Sequence, residues 1–419
     1  MNNRVIAMSI AESPSISKDA EIALWSRLFH NDLTDFIGTV TMAALRRCCC
    51  RRAAQLQRNT GQLQRNTGLY HRLTSTGASR RHVLMFVAGP LVVLFAFFMA
   101  FFMITQGVAH VLPHRAPRWQ PAHLLCMALL AANFFFNYTR AIFTDPGTPE
   151  GEGGGGYGRL LRHARDVGLV TAADYEAQQA GALNLATLAD PEFALPSKDP
   201  FDWAFCRRSG KLKPPRAHFD GVTGQLVLNM DHYCVWVFNS IGYGNYRYFI
   251  LTVLQLWLAS VFGFLETLPA YVAQRQESQA LNATIVPGMS STQQMVEVIE
   301  AFEEVESLWQ LLVLCVICIM VIGHFAGWHM WNCVINGRTT IEAYRFNAAS
   351  VAARARGEAV DSRNPYGWGS QAANWRRHFG DRSFVAALLV PSTVPPPWPP
   401  YPCPSLLGAS PGGNVELKS

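Results

Sequence analysis

Four long apolar segments interrupt a chain whose remaining stretches are polar and rich in arginine. They cover approximately residues 83–105, 121–143, 248–272 and 308–334. About twenty mostly apolar residues are enough for an α-helix to cross a bilayer. The pattern therefore predicts four transmembrane helices.

The predicted helices divide the chain into regions with different charge. An N-terminal arm (1–82) precedes the first helix pair (83–143), a connection (144–247) precedes the second pair (248–334), and a C-terminal region (335–419) follows. Placing both termini and the 144–247 connection in the cytosol leaves only Arg115, Arg118 and Arg275 of the 35 Lys and Arg residues outside. Positive charge is retained on the cytosolic side of membranes, so we expect this orientation.

The N-terminal arm contains an amphipathic segment. Its apolar residues recur at steps of three and four, as on one face of a helix. They are Ile22, Trp25, Phe29, Leu33, Phe36 and Val40. Two interpretations fit this face, a helix lying on the membrane surface and a helix packed on a cytosolic domain.

A cluster of thiols follows in the same arm. Cys48, Cys49 and Cys50 lie between two pairs of arginines. Cysteines flanked by cations near a bilayer are typical acceptors of acyl chains. Surface cysteines without a function are the alternative. The short repeat at 55–68, the glycine-rich stretch at 151–158 and the proline-rich tail at 391–404 are interpreted as linkers.

Composition supports a membrane protein and excludes other classes. Half of the residues are apolar, 15% are charged, and the net charge is +6. This balance favours an integral membrane protein and gives no basis for nucleic-acid binding. Ten cysteines, three of them contiguous and four in apolar segments, do not form a disulfide framework. We therefore expect reduced thiols.

Candidate chemistry is concentrated just before the third apolar segment. Asp231, His232 and Cys234 lie within four positions. A free thiol has a pKa near 8.5, and only the thiolate is a good nucleophile. His232 can take the proton of Cys234, and Asp231 can orient the imidazole and stabilise its cation. Taken alone, such a string is weak evidence, since buried histidines and structural cysteines are common.

Further motifs surround this string and give it a context. The flanking residues with distinctive spacing are Trp236, Asn239, Gly242, Asn245 and Phe249, with Lys213-Pro214-Pro215-Arg216-Ala217 and Leu228-Asn229-Met230 upstream. Beyond them are Asp145-Pro146-Gly147, Thr339-Thr340-Ile341-Glu342, Asn364-Pro365-Tyr366, Gly369, Asn374-Trp375 and Phe379-Gly380. Over about residues 80–380 the chain resembles the DHHC-type protein S-acyltransferases, with their characteristic domain at about 206–249 and DHYC in place of DHHC.

The resemblance implies a membrane all-α fold of four helices, with a small irregular cytosolic domain of the cysteine-rich type between the second and third. It also implies transfer of a palmitoyl-type chain from acyl-CoA, through Cys234, to cysteines of client proteins. His232 and Asp231 would assist, and Thr340 would hydrogen-bond Asp231. Asn374 would have a structural role, and Trp236 would line the cavity mouth or anchor the membrane interface. We expect an integral protein of the Golgi, endoplasmic reticulum or plasma membrane.

The basic residues near the start of this domain fit two roles. They are Arg207, Arg208, Lys211, Lys213 and Arg216. They can meet the phosphates of coenzyme A, or they can contact anionic lipid. The sequence leaves both roles open.

The chain departs from the family at the positions that usually hold two zinc ions. One set reads Cys206, Ser209, Phe219 and Leu226, and the other reads Asp220, Thr223, Tyr233 and Ser240. A structural zinc site needs four Cys or His ligands. We therefore expect no bound zinc or other cofactor, apolar packing at the first set, and either a hydrogen-bond cluster or solvated side chains at the second.

Two other classes of function remain open from the sequence. A catalytically silent membrane scaffold of the same family fits the missing zinc ligands. A four-helix channel or transporter subunit fits the membrane helices, although few charges within the spans support it.

Overall fold

The computed structural model describes residues 78–149, 157–195, 201–284, 292–359 and 364–397. The predicted amphipathic segment, the cysteines Cys48, Cys49 and Cys50, and the repeat at 55–68 lie outside the described residues. The same holds for most of the glycine-rich stretch and for the end of the proline-rich tail.

Long helices dominate the described parts of the chain, and short hairpins lie between the second and the third of the long ones. The helices are α1 (Ala78–Gln106), α2 (Gln120–Phe143), α3 (Tyr157–Asp166), α4 (Ala172–Gln179), α5 (Tyr246–Thr284), α6 (Thr292–His329), α7 (Thr340–Ala355), α8 (Gln371–Phe379) and α9 (Phe384–Leu389). The strands are β1 (Ala204–Cys206), β2 (Lys211–Lys213), β3 (His218–Asp220), β4 (Gln225–Val227), β5 (His232–Cys234) and β6 (Asn239–Ile241).

Among the residues that the structure describes, four helical segments are long and apolar enough to cross a membrane, which confirms the predicted number. They are Leu91–His114, Gln120–Phe143, Tyr246–Ala280 and Ala301–Ile335. The large apolar side chains of Leu91, Phe95 and Phe98 are exposed on α1. Such a surface fits lipid rather than water, because long exposed apolar faces are unusual in soluble proteins.

The observed spans differ in their ends from the predicted ones. The first continues past Gln106 through a π-helical turn (Gly107–Val111) and a 3-10 turn (Leu112–His114). Helices α5 and α6 also extend beyond the predicted spans. Their extra turns carry charged residues such as Arg275 and Glu304, which hydropathy alone assigns to a loop.

The domain between α2 and α5 consists of three antiparallel hairpins, β1–β2, β3–β4 and β5–β6. Its strands are only three residues long, so its stability depends on a shared core. That core includes Leu160 and Leu161 of α3 together with Leu212, Leu226 and Leu228 of the domain. Helix α3 begins at Tyr157, so the linker interpretation of 151–158 was wrong at its last two residues.

The C-terminal region returns to the helix bundle. Helix α7 begins with a capping box, in which the Thr339 side chain accepts from the Glu342 amide and the Glu342 side chain accepts from the Thr339 amide. Helix α9 packs against α2 and α5. The region that follows the fourth span is therefore held against the second and third spans.

Candidate active site

Strand β5 brings the predicted nucleophile and base to the same side of the chain. His232 and Cys234 are two residues apart, and side chains alternate between the faces of a strand. The His232 Nδ1 is 2.6 Å from Oδ2 of Asp231. The Cys234 side chain lies near the same imidazole and contributes to raising its pKa. Carboxylate and imidazole are thus hydrogen-bonded, and the thiol is a neighbour of the imidazole.

The electrostatics of Asp231, His232 and Cys234 favour a proton on the imidazole. Burial lowers the pKa of His232, but the hydrogen bond to Asp231 and the interaction with Cys234 outweigh it and raise the pKa to about 10. Burial raises the pKa of Asp231, but the bond and charge of His232 and the bond from Thr340 lower it to about 2. The imidazole is therefore a strong enough base to hold a thiol proton near neutral pH.

Two neighbours hold the Asp231–His232 pair in place. The Thr340 hydroxyl donates to Oδ2 of Asp231 at 2.7 Å, and the Thr340 amide donates to Oδ1 at 2.6 Å. The Phe249 ring lies edge-on to the His232 ring, with the centroids 5.0 Å apart. Asp231 is 1% exposed. Its charge is thus stabilised by donors from β5 and α7 rather than by solvent.

The tip of the β5–β6 hairpin contacts the first two membrane helices. The Tyr138 hydroxyl of α2 donates to the Trp236 carbonyl at 2.6 Å. Gly89 of α1 faces the Phe238 ring, which a side chain at position 89 would overlap. The hairpin that carries Cys234 is therefore held against α1 and the C-terminal part of α2.

Asparagines of the motif fix the hairpin to the end of α2. The Asn239 side chain donates to the carbonyls of Ala141, Ile142 and Thr144 at 3.0–3.2 Å. Asn245 donates to the Ala141 carbonyl at 3.3 Å. The last carbonyls of a helix have no partner within the helix. These contacts satisfy them and set the position of the hairpin that carries Cys234.

The other predicted supporting residues lie farther from the thiol. Trp236 is 55% exposed at the hairpin tip, two residues after Cys234. Asn374 is buried and donates to the Ile335 carbonyl at 2.6 Å, while its Oδ1 accepts from the Trp368 amide at 2.7 Å. It contacts the chain that leaves the fourth span, and it touches none of the three predicted catalytic residues.

Six of the eight positions that the resemblance assigns to zinc lie in two clusters of different character. In the first, Cys206 and Leu226 are buried in the core of the domain, and Phe219 packs against that core. In the second, Asp220 accepts from the hydroxyls of Thr223 at 2.7 Å and Ser240 at 2.5 Å. Neither donor set fits a tetrahedral zinc ion, because the first offers one thiol and the second no thiol or imidazole.

One of the basic residues expected to meet coenzyme A phosphates or anionic lipid, Arg216, is instead paired within the protein. Arg216 is buried and donates to both carboxylate oxygens of Glu342 at 2.7 and 2.6 Å. It also donates to the Gly337 carbonyl at 2.9 Å. Arg216 is thus a link between the hairpin domain and α7, and it is not available to an incoming phosphate. Arg207 and Arg208 are exposed.

Sequence reasoning missed two polar residues of the fourth span. His329 and Cys333 are buried, and Cys333 lies 3.6 Å from Asp231 Oδ1 and 3.7 Å from His329 Nδ1. Their spacing of four residues within an apolar span was the available signal. Polar residues inside a membrane span usually face the protein interior and have a function.

An apolar, half-open cavity of about 110 Å³ lies among the four membrane helices. Its walls include Met103 of α1, Leu130 and Phe134 of α2, and Leu256 of α5. At the end remote from the hairpin domain, Glu266 pairs with Arg115 at 2.8 Å and with His123 at 3.1 Å. Phe134 lies one helical turn from Tyr138, which binds the loop after Cys234. The cavity thus approaches the thiol from the membrane side.

Comparison with known proteins gives an independent view of these residues. The family model "DHHC palmitoyltransferase" matches residues 200–347. The chain is 31% identical over 150 residues to "Probable protein S-acyltransferase 14" of Arabidopsis thaliana, covering 36% of the chain and 43% of the relative. It is 31% identical over 139 residues to "Palmitoyltransferase ZDHHC2" of Homo sapiens, covering 33% and 35%. The matches span less than half the length of these relatives.

Proposed function

We propose, because residues 200–347 match the model of the DHHC palmitoyltransferase family, that the protein is a membrane-bound S-acyltransferase. It moves a palmitoyl-type chain from acyl-CoA to cysteines of client proteins by way of an acyl-enzyme on Cys234. The observation that carries the proposal is the hydrogen bond between Asp231 and His232, with Cys234 as a neighbour of the same imidazole.

The first half of the reaction loads the enzyme. Cys234 gives its proton to His232, and the thiolate attacks the carbonyl carbon of acyl-CoA. The new carbon–sulfur bond forms as the bond to coenzyme A breaks, and the coenzyme A sulfur takes the proton back from the imidazolium. Asp231 holds Nδ1 of His232, so the other ring nitrogen stays directed at the reacting sulfur.

The second half unloads the enzyme by the same groups in reverse. A client thiol gives its proton to His232 and attacks the thioester on Cys234. The bond between the acyl carbon and Cys234 breaks, and the Cys234 sulfur recovers the proton from His232. The acyl chain changes thioester twice, so no oxidant or external energy source is needed.

The cavity among the helices supports a long-chain substrate. Each methylene sheltered from water contributes about 0.8 kcal/mol, so a sixteen-carbon chain strongly prefers an apolar pocket. We propose that the chain lies along Phe134, Leu256 and Met103 while its thioester reaches Cys234. Exposed Arg207 and Arg208 fit the phosphates of coenzyme A as well as they fit anionic lipid.

We further propose that the domain keeps its shape without zinc. Packing of Cys206, Phe219 and Leu226 takes the place of one site, and the hydrogen bonds of Asp220 take the place of the other. The orientation with both termini and the hairpin domain in the cytosol follows the distribution of arginine. A membrane of the Golgi, the endoplasmic reticulum or the cell surface then gives access to acyl-CoA and clients.

The alternative is a silent scaffold of the same family, which the altered zinc positions favour. The two are separated by incubating the purified protein with labelled palmitoyl-CoA and testing for hydroxylamine-sensitive label. The enzyme acquires label that Cys234→Ser lacks. A scaffold acquires none in either form, and equal label in both forms assigns the acceptor to another thiol, such as Cys48, Cys49 or Cys50.

A further inference from the structure

A buried thiol lies against the Asp231 carboxylate and is not used in the proposed reaction. Cys333 is 1% exposed, and its Sγ lies 3.6 Å from Oδ1 of Asp231. It is part of a π-helical turn, Met330–Ile335, at the C-terminal end of α6. Widened turns of this kind are frequent at functional sites because they re-aim side chains.

Three hydrogen-bond donors other than Cys333 contact the Asp231 carboxylate. Oδ2 accepts from the His232 ring and the Thr340 hydroxyl, and Oδ1 accepts from the Thr340 amide. An ionised carboxylate has about four lone-pair sites. The Cys333 thiol faces the fourth. Since Asp231 is 1% exposed, bulk water has little access to replace it.

We infer that Cys333 is a positioning residue for the transfer reaction. By donating its S–H to Oδ1 of Asp231, it fixes the rotation of the carboxylate that directs Oδ2 at His232. This inference rests on the proposed function. Cys333 acts only through Asp231 and touches neither acyl-CoA nor the client protein.

A metal ion bound by Asp231, His329 and Cys333 is disfavoured. Asp231, His329 and Cys333 offer ligand atoms within 4.8 Å of one another, and these are metal-ligand types. However, Oδ1 of Asp231 already accepts from the Thr340 amide at 2.6 Å, and the His329 Nδ1 is 3.1 Å from the Tyr246 hydroxyl. A divalent ion would have to displace both bonds and deprotonate the thiol.

Positive charge near Asp231 and Cys333 also argues against a bound metal ion. Arg338 and Arg377 line the small pocket that Asp231 and Cys333 also line. A cation in this pocket would be repelled by both guanidinium groups. The neutral thiol as a hydrogen-bond donor needs no such compensation.

The experiment compares Cys333→Ala, which loses the donor, with Cys333→Ser, which keeps one. Single-turnover acylation of Cys234 is measured across palmitoyl-CoA concentrations. The alanine variant should react roughly tenfold more slowly at saturation with an unchanged KM, as loss of one hydrogen bond to a charge implies. The serine variant should recover to within about threefold of wild type. Cys318→Ala, on the same helix and roughly four turns away, should match wild type.

Several results would overturn the inference. Equal slowing by alanine and serine indicates a packing role, and wild-type kinetics in the alanine variant indicates no role. A stoichiometric metal ion that is present in the wild type and lost from Cys333→Ala would make the sulfur a ligand.

Alkylation separates this inference from the proposed function. The rate at which iodoacetamide modifies Cys234 reads thiol activation without an acyl donor. If the wild type does not acylate, the proposed function fails, while slower alkylation in Cys333→Ala, restored in Cys333→Ser, still supports the positioning role. Identical alkylation in all three forms overturns it.

Discussion

The hydroxyl and the backbone amide of Thr340 both donate to the Asp231 carboxylate, at 2.7 and 2.6 Å, across 109 residues of chain. These two bonds hold the first turn of α7 against Asp231, the residue that precedes β5. The C-terminal helix α7 and the hairpin domain therefore meet at the residue that orients His232.

Thr340→Val is expected to slow acylation of Cys234 without abolishing it. The substitution removes the hydroxyl donor but keeps the amide, and a hydrogen bond to a charged group contributes about 1.5–3 kcal/mol. We expect a roughly tenfold or larger loss in the single-turnover rate. Thr340→Ser, which retains the hydroxyl, should stay near wild type. Equal rates in the valine and serine variants would contradict the assigned role.

Breaking the Arg216–Glu342 pair is expected to destabilise the protein. Both side chains are almost fully buried, and the charge of Arg216 overcomes burial to lower the pKa of Glu342. Removing one partner of a buried pair typically costs about 3–5 kcal/mol. Glu342→Gln should lower the melting temperature in detergent. The matched control is Glu358→Gln, because the Arg356–Glu358 pair is exposed and its loss should leave the melting temperature unchanged.

The Asp231–His232 pair predicts how stability depends on pH. The pKa of His232 is raised from 6.5 to about 10, so its contribution is complete below pH 6.5 and is lost as pH rises through about 10. The pKa of Asp231 is lowered from 3.8 to about 2, so its contribution is present above pH 3.8 and is lost as pH falls through about 2.

The corresponding measurement is the difference in melting temperature between wild type and His232→Gln. It should be largest between about pH 4 and 6.5 and shrink toward pH 10. A difference that grows with pH over that interval would show that the imidazole is held neutral, contrary to this account.

Chelators are expected to leave the protein intact. If packing around Leu226 and hydrogen bonds to Asp220 replace the two zinc sites, then EDTA or phenanthroline should change neither melting temperature nor acylation. Asp220→Ala should instead lower the melting temperature, because the hydroxyls of Thr223 and Ser240 lose their acceptor. The expected loss in the free energy of unfolding is about 1–3 kcal/mol. Two zinc ions per chain by elemental analysis would refute the replacement.

The membrane helices could be predicted from hydropathy because twenty apolar residues in sequence leave few alternatives to a bilayer. The proximity of His232 and Cys234 could also be predicted, because residues two apart on a strand point to the same face. The ends of the helices could not be predicted from hydropathy, because charged turns such as that of Glu304 continue a helix beyond the apolar run.

Contacts between distant parts of the chain were the least accessible. From the sequence, Arg216 is a candidate contact for coenzyme A phosphates or for anionic lipid. Its burial against Glu342 could not be predicted, because it depends on how α7 meets the hairpin domain. The thiol of Cys333 was counted only as part of an apolar segment. Its position beside Asp231 results from a π-helical turn, which local sequence does not specify.

The most direct test of the central claim is the mass of the Cys234 peptide after a brief reaction with palmitoyl-CoA, in wild type, His232→Gln and Cys234→Ser. The account predicts one palmitoyl group on Cys234 in the wild type, a rate reduced by roughly a hundredfold or more in His232→Gln, and no modification in Cys234→Ser. Acylation of Cys234 at the wild-type rate without the imidazole would contradict it.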